Sequence, residues 1–311
     1  MKILVFIQVD DNNINRMSLE ALTCGQSLSQ DVTALTFNES AVNDLTKYKV
    51  NEVLHLKSDK LFNYSPLFYA KAMESLISEY DIFLFAHTYE TRDWVPRLSA
   101  RFDLPFISDC INVNSENNLI TVTRQSYQGK INNDLAVEGK AFLSIQSGCY
   151  KTDLLKLDQS NSRDVEVDLN TVPNTIRPEE KFKEQKGGVD LTSADLIVSV
   201  GRGIAKEENI PLAEELTNLL NAEMGSSRPI VDYGWLPHDR QIGSSGQVVS
   251  PKLYFSLGVS GAIQHQVGMK GSDKIMAINK DANAPIFEIA DYAVIGDLLE
   301  IVPKLINKLK D

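Results

Sequence analysis

Short apolar runs alternate with amphipathic segments along the first third of the chain. The apolar runs have the length and composition of buried strands, and the segments between them show the spacing of helices with one apolar face. Because parallel strands need long crossover connections, this alternation predicts a parallel sheet with helices on its faces. The predicted strands are 2–8, 32–37, 53–56 and 82–86, and the predicted helices are 18–30, 66–80 and 91–102.

The pattern changes after the last of these helices, where strand-like segments follow one another without helices between them. They cover 119–124, 133–137 and 141–146, and Gly129 and Gly139 mark the turns between them. Consecutive strands joined by short turns run antiparallel. The sequence therefore predicts an antiparallel extension of the first sheet.

Residues 151–190 are polar and interrupted by prolines, and they end in the pair Gly187-Gly188. Such a composition is typical of a linker, so we predict two domains, 1–187 and 188–311. The second block alternates again. Its predicted strands are 194–200, 229–232, 253–257 and 274–279, its predicted helices are 206–220 and 298–309, and a further apolar segment spans 286–294.

One stretch of the second block, 253–279, combines features that suit a nucleotide. A strand is followed by small residues from Gly258 to Ala262, by His265 in the first turn of a predicted helix over 263–269, and by a second strand. Small residues let backbone N–H groups approach a ligand, and a helix N-terminus favours a phosphate or a ring that becomes anionic. The pattern predicts a nucleotide cradle; the alternative is a packing histidine in an ordinary turn.

Composition limits the class of protein. Of the 311 residues, 43% are hydrophobic and 23% are charged, and the formal net charge is −11. A negative chain without a block of Lys and Arg does not suit a nucleic-acid surface or an anionic membrane. No apolar run approaches the length of a membrane span, and the strand-like start lacks the features of a signal peptide. We therefore expect a cytoplasmic protein without membrane insertion.

The three cysteines, Cys24, Cys110 and Cys149, are far apart in the sequence. They follow no spacing that suits zinc or a redox pair. We expect buried thiols and no metal site.

Polar residues follow the predicted strands of the second block, and each has two interpretations. Arg202, in a Gly-Arg-Gly turn, could pair with a diphosphate or with a surface carboxylate. Arg228, after Ser227, could lie over an aromatic ring or remain a solvated charge. Asn279 could read an adenine edge or form a turn, and Asp297 could bind a ribose hydroxyl or cap the last helix.

Two long motifs resemble one protein family. LYFSLGVSGAIQHQVGM begins at Leu253 and KIMAINKDANAPIFEIADY begins at Lys274; with PFISD at 105–109, they resemble the electron-transfer flavoprotein alpha subunit. The resemblance covers essentially the whole chain. It implies an α/β fold of two domains, each a mainly parallel sheet with flanking helices. The first would be a nucleotide-hydrolase-like domain that pairs with a beta subunit, and the second a doubly wound domain that binds FAD.

The resemblance also assigns residues to the FAD. It places Arg228 close to the isoalloxazine ring and the Ser245 hydroxyl near flavin N5. The family usually has Gly-Gln-Thr-Gly where this chain has Gly-Ser-Ser-Gly at 243–246, which loses an amide near the ring. Taken by itself, this loop is typical of a surface turn. The residues assigned to FAD are Arg202, Ser227, Arg228, Gly243, Ser244, Ser245, Ser260, Gly261, Ala262, Ile263, Gln264, His265, Asn279, Asp297 and Leu298.

The function implied by the resemblance is electron transfer without substrate turnover. It implies a heterodimer with a beta subunit, electrons from flavin dehydrogenases such as acyl-CoA dehydrogenases, and delivery to a quinone oxidoreductase; an alternative is an electron-bifurcating flavoprotein. His265 and Arg228 would favour the reduced flavin, because reduction builds negative charge on the ring. From the residues alone two other classes stay open. These are an NAD-dependent enzyme with His265 as its base, and a nucleotide-binding module whose partner does the chemistry.

Overall fold

The chain divides into two compact units, Met1–Lys181 and Phe182–Asp311. Both are α/β, as predicted. The predicted domain boundary between residues 187 and 188 lies outside the described residues and stays a prediction. The computed structural model describes residues 1–10, 12–116, 119–127, 129–173, 175–176 and 190–310.

The N-terminal unit is built on a nine-stranded sheet and a separate two-stranded hairpin. Its strands are β1 (Ile3–Phe6), β2 (Val9–Asp10), β3 (Asn13–Ile14), β4 (Val32–Thr36), β5 (Glu52–Lys57), β6 (Ile82–Ala86), β7 (Phe106–Glu116), β8 (Leu119–Ser126), β9 (Ile131–Val137), β10 (Ala141–Ile145) and β11 (Asn161–Glu166). The sheet order is β11-β5-β4-β1-β6-β10-β7-β8-β9, while β2 pairs with β3. Neighbours run parallel except β7 with β8 and β8 with β9, which confirms a mainly parallel sheet.

Strand β10 differs from the prediction. The sequence assigns 141–146 to the antiparallel extension, but β10 lies between β6 and β7 and runs parallel to both. All five of its residues are buried. A continuous apolar run is typical of a strand with both faces covered, so this segment belongs in the interior of the sheet rather than in its extension.

The predicted linker 151–190 contains a strand of the sheet. Strand β11 pairs in parallel with β5 at the sheet edge, and Arg163 on β11 pairs with Glu52 at an N–O distance of 3.0 Å. Most residues of β11 are exposed. Backbone pairing and cross-strand charges can hold an edge strand, and hydrophobic spacing therefore gives no sign of it.

Helices cover both faces of the N-terminal sheet. Leu22 and Cys24 of α1 pack against one face, and Trp94 of α4 is buried against the other. Cys24 and Cys110 are buried free thiols, as expected, whereas Cys149 is half-buried. The helices are α1 (Arg16–Leu28), α2 (Val42–Leu45), α3 (Pro66–Met73) and α4 (Tyr89–Phe102).

The C-terminal unit contains a five-stranded sheet in which all neighbours run parallel. Its strands are β12 (Leu196–Val200), β13 (Glu223–Ser226), β14 (Leu253–Leu257), β15 (Lys274–Asn279) and β16 (Tyr292–Ile295), in the order β13-β12-β14-β15-β16. The direction in which strands are added therefore reverses between β12 and β14, which we call the switch point. The helices are α5 (Ile210–Leu219), α6 (Arg228–Asp232), α7 (Ile263–Val267) and α8 (Leu298–Lys310). Within the described residues, no helix has the length and apolarity to cross a bilayer.

A helix replaces one predicted strand of this unit. Residues 229–232 lie in α6, and the strand is the preceding segment Glu223–Ser226. Pro229 occupies the first turn of α6, where its missing N–H costs nothing and its fixed φ suits a helix. The sequence of β13 contains glycine and has low strand propensity. Helix α7 is also shorter than predicted, since it ends at Val267 rather than Met269.

Candidate functional site

Every strand of the C-terminal sheet ends near residues that the resemblance assigns to FAD. Because all five strands are parallel, their carboxyl ends lie at one edge, where open α/β sheets bind ligands. The structure thus brings these residues to a single edge of one unit. They are Arg202 after β12, Ser227 and Arg228 after β13, Ser260 to His265 after β14, Asn279 at the end of β15, and Asp297 and Leu298 after β16.

Glycines meet at the switch point. The N–H of Gly203 donates to the carbonyl oxygen of Gly258 at 2.9 Å, and the N–H of Gly201 donates to that of Leu257 at 2.9 Å. A β-carbon on Gly201 would lie 2.5 Å from the Gly258 oxygen, and one on Gly203 would lie 2.7 Å from the Gly258 α-carbon. Only glycine permits this approach. The two turns therefore pack backbone against backbone at the sheet edge, with no side chain between them.

The turn after β14 exposes its backbone. Gly261 has a φ of +79°, and a β-carbon there would lie 2.3 Å from the nitrogen of Ile286. The N–H of Ile286 donates to the carbonyl oxygen of Ser260 at 3.1 Å, while Ser260 and residues 262–264 are exposed. Helix α7 has only five residues. This segment can therefore bind an anion through the backbone N–H groups of its turn, and not through the dipole of a long helix.

The loop 243–246 is anchored from two sides. The buried amide of Gln241 donates from Nε2 to the hydroxyl and to the carbonyl oxygen of Ser245, each at 3.0 Å. The N–H of Ser244 donates to the carbonyl oxygen of Gln264 at 2.8 Å. The Ser245 hydroxyl is therefore held in place, and Gln241 supplies an amide beside it although Ser244 replaces the glutamine of the resembled family.

The side chain of His265 is buried. The residue is 6% exposed, and its Nε2 lies 2.7 Å from the hydroxyl oxygen of Tyr254. Its Nδ1 has no hydrogen-bond partner among the residues that the structure describes. Burial lowers the pKa of His265 to about 4, and the backbone of Ile242 acts in the opposite direction. The imidazole is therefore neutral at pH 7, with Nδ1 left for one further hydrogen bond.

Two arginines stand at the edge. Arg202 is exposed and pairs with no carboxylate in the described part of the chain. Arg228 is exposed and lies 3.4 Å from Asp232, one helical turn further on. Such a solvated pair contributes little free energy. Both guanidinium groups can therefore turn to an anion, and Arg228 is a solvated charge in this structure.

The side chains of Asn279 and Asp297 are engaged by the protein. Asn279 donates from Nδ2 to the carbonyl oxygen of Val259 at 2.9 Å and accepts the backbone N–H two residues later at 3.0 Å. Asp297 accepts the N–H of Leu299 at 2.9 Å and pairs with Lys280 at 2.8 Å, which lowers the pKa of its carboxyl. The turn and helix-cap interpretations therefore hold for these residues, and the Asp297 carboxylate keeps lone pairs for another donor.

Sequence reasoning missed three residues that contact predicted site residues: Gln241, Tyr254 and Lys280. Gln241 closely precedes the Gly-Ser-Ser-Gly loop and Lys280 follows Asn279 directly, so proximity to a motif is a usable signal for both. Tyr254 gives no such signal, because an aromatic residue in an apolar strand looks like any other core residue.

The N-terminal unit offers a poorer site for an anion. A cavity of about 750 Å³ lies beside the carboxyl ends of β1, β4 and β5. Among the described residues its lining contains four carboxylates and two lysines, a balance that opposes phosphate. They are Glu39, Asp59, Glu90 and Glu166, with Lys57 and Lys60.

Comparisons with known proteins identify the family. Residues 3–172 match a model described as the electron transfer flavoprotein domain, and residues 190–270 match the electron transfer flavoprotein FAD-binding domain. The electron transfer flavoprotein subunit alpha of Syntrophomonas wolfei subsp. wolfei is 34% identical, with 98% of each chain covered. The chain belongs to the electron transfer flavoprotein alpha subunit family. FAD is the cofactor of its C-terminal unit.

Two further relatives match over most of their length. Subunit alpha of Bacillus subtilis is 34% identical, with 99% of this chain and 97% of that protein covered. The acryloyl-CoA reductase electron transfer subunit beta of Anaerotignum propionicum is 32% identical, with 88% of this chain and 84% of that protein covered.

The residues at this edge fit FAD. The glycine contact between 201–203 and Gly258 lets the turns after β12 and β14 pack backbone against backbone, and the exposed turn 262–264 beside it offers backbone N–H groups to a diphosphate. The buried, unpartnered Nδ1 of His265 is a donor or acceptor for a polar ring. Arg202 supplies a cation without a carboxylate partner within the described residues. This donor set matches a dinucleotide with an electron-accepting ring.

Proposed function

We propose that this chain is the FAD-carrying alpha subunit of a heterodimeric electron transfer flavoprotein. It takes electrons from flavin dehydrogenases, such as acyl-CoA dehydrogenases, and passes them to a quinone oxidoreductase of the respiratory chain, without turning over a substrate. The glycine contact at the switch point carries the proposal, because it lies at the edge where a parallel sheet binds a dinucleotide and within the unit that matches the FAD-binding domain.

The side chains of this unit have distinct tasks in the proposal. Bound FAD supplies a centre that takes up and releases electrons. Arg202 and the backbone N–H groups after β14 hold the diphosphate. The Ser245 hydroxyl and the neutral imidazole of His265 make hydrogen bonds to the ring, and Asp297 binds the ribose. A neutral donor stabilises negative charge on the ring less than a cation does, so His265 favours the reduced cofactor only moderately.

A bifurcating flavoprotein is the second candidate. One relative is named as the electron transfer subunit of an acryloyl-CoA reductase, so the acceptor of such a chain need not be a quinone oxidoreductase. The two candidates differ in the beta subunit, which carries AMP in the first case and a second FAD in the second. An NAD-dependent enzyme is disfavoured, because His265 is buried, has a pKa of about 4 and is bonded to Tyr254. At neutral pH it is an unprotonated but weakly basic imidazole whose Nε2 is already occupied, which makes it a poor general base.

Joint production with the beta subunit of the same genome tests the proposal. We expect a yellow heterodimer that releases one FAD per alpha chain on denaturation and is reduced by an acyl-CoA dehydrogenase with its substrate. Two FAD per heterodimer together with reduction by NADH would favour the bifurcating candidate. A colourless protein that takes up no added FAD would overturn both.

A further inference from the structure

Tyr254 and His265 form a buried pair in the C-terminal unit. Tyr254 is 0% exposed and His265 is 6% exposed. The Tyr254 hydroxyl oxygen and Nε2 of His265 are 2.7 Å apart, which is a short hydrogen bond for a neutral pair. Neither group can exchange this partner for water at such burial, so the direction of the bond decides which imidazole nitrogen keeps its proton.

The chemistry of the two groups sets that direction. Burial raises the pKa of the Tyr254 phenol and lowers that of the His265 imidazole, so both are neutral at pH 7. A neutral imidazole has one N–H and one bare nitrogen. The bare nitrogen is a better acceptor than a phenol oxygen, and hence the Tyr254 O–H donates to Nε2 while the imidazole proton stays on Nδ1.

The surroundings of the pair agree with this direction. If Nε2 of His265 donated to the Tyr254 oxygen instead, the Tyr254 O–H would need another acceptor. The Ser199 hydroxyl lies near enough to lower the Tyr254 pKa, but its oxygen reaches hydrogen-bond geometry with no group in the described ranges. The backbone of Ile242 acts to raise the pKa of His265, while no acceptor in the described ranges reaches hydrogen-bond geometry with Nδ1, so a proton on Nδ1 stays available to a ligand.

The geometry points to Tyr254 as a positioning residue for His265. Its hydroxyl holds the imidazole in the tautomer with the proton on Nδ1, so that His265 is a fixed hydrogen-bond donor to the flavin ring; the flavin as acceptor rests on the proposed function. Without the hydroxyl, either nitrogen can carry the proton. His265 would then meet the ring as donor in some molecules and as acceptor in others, which weakens the stabilisation of negative charge on the ring.

Nitrogen NMR of the whole chain tests the tautomer directly. The chain is labelled with ¹⁵N-histidine and stripped of flavin; it has four histidines, and the His265→Gln variant assigns the signal. We expect a protonated Nδ1 and a bare Nε2 in the wild type, and a mixture of tautomers in Tyr254→Phe. Ser256→Ala removes a buried hydroxyl from the same strand and is the control that should leave the tautomer unchanged.

A protonated Nε2 in the wild type, or an unchanged tautomer in Tyr254→Phe, would overturn the inference. The wild-type spectrum decides by itself if the phenylalanine variant fails to fold. In the FAD-loaded heterodimer, Tyr254→Phe should shift the flavin midpoint potential downward, and the same change in a His265→Gln background should produce no further shift. Equal shifts in both backgrounds would count against a role through His265. Failure of the wild type to take up FAD would contradict the proposed function but leave the tautomer result standing.

Discussion

In the N-terminal sheet, side chains join the ends of the two strands where the order reverses, β1 and β6. The Thr88 hydroxyl, after β6, donates to Oε1 of Gln8, after β1, at 2.7 Å. In the C-terminal sheet, the ends of β12 and β14 meet through glycine backbone instead. The same topological feature is filled with side chains in one unit and left bare in the other.

This difference shows that topology alone does not make a nucleotide site. A parallel sheet with a switch point provides the edge, but a ligand needs backbone that no side chain covers. Gly201, Gly203 and Gly258 let the two turns of the C-terminal unit meet without side chains, beside the exposed backbone of 262–264, whereas Gln8 and Thr88 use the equivalent place for hydrogen bonds within the N-terminal unit. The following changes test that contrast, from the largest expected effect to the smallest.

Gly258→Ala should disrupt the glycine contact at the switch point of the C-terminal unit. The new β-carbon would lie 2.7 Å from the α-carbon of Gly203, at a φ of +65°. Strain and overlap together should cost about 3–4 kcal/mol of unfolding free energy and prevent FAD uptake. Gly234→Ala is the matched control, with a φ of +74° but nothing within 4 Å of its β-carbon, so it should cost about 1 kcal/mol. Urea unfolding and flavin content measure both, and equal losses would refute a role for the contact.

The stabilities of the two units should also change with pH in opposite directions. In the N-terminal unit the change comes from Glu20. Burial raises its pKa from 4.5 to about 7. The folded chain then keeps a proton that the unfolded chain releases. The contribution of Glu20 to the free energy of unfolding is therefore complete below pH 4.5 and is lost as pH rises through 7. Glu20→Gln should raise the unfolding free energy of the N-terminal unit at pH 8 by about 3 kcal/mol relative to wild type. Hydrogen exchange of amides in β1 and β4 measures this, and no change at pH 8 would show that Glu20 ionises normally.

His265 should make the unfolding free energy of the C-terminal unit change with pH in the opposite direction, falling as the pH falls. Its pKa falls from 6.5 to about 4 on folding, so the unfolded chain binds the proton first, and the stability present above pH 6.5 is lost as pH falls through 4. Between pH 7.5 and 5 the loss should be about 2 kcal/mol. His265→Gln should remove the slope, while His238→Gln, at an exposed position, should keep it. Exchange of amides in β12 and β14 provides the measurement, and a slope that survives in His265→Gln would contradict the assignment.

Sequence patterns identify the strands that form the candidate edge better than the contacts made there. The apolar runs of β12, β14 and β15 are recognisable, and the glycines that follow them mark the turns. Strand β13 is missed because glycine and serine carry no strand pattern, although pairing with β12 makes it a strand. The Tyr254 to His265 hydrogen bond is missed for another reason. It joins residues eleven positions apart, and only the fold brings them together.

The smallest expected effect concerns the switch point of the N-terminal unit, between β1 and β6. Thr88 donates to Gln8 and also accepts the N–H of Thr91 at the start of α4. Thr88→Val keeps the shape of the side chain but removes both hydrogen bonds, so it should lower the unfolding free energy by about 1–2 kcal/mol. Thr88→Ser keeps the hydroxyl and should cost less than half as much. Neither variant should change FAD content, because this switch point holds no cofactor in the proposal. Loss of flavin in Thr88→Val at temperatures where the N-terminal unit remains folded would show that the two switch points are not independent.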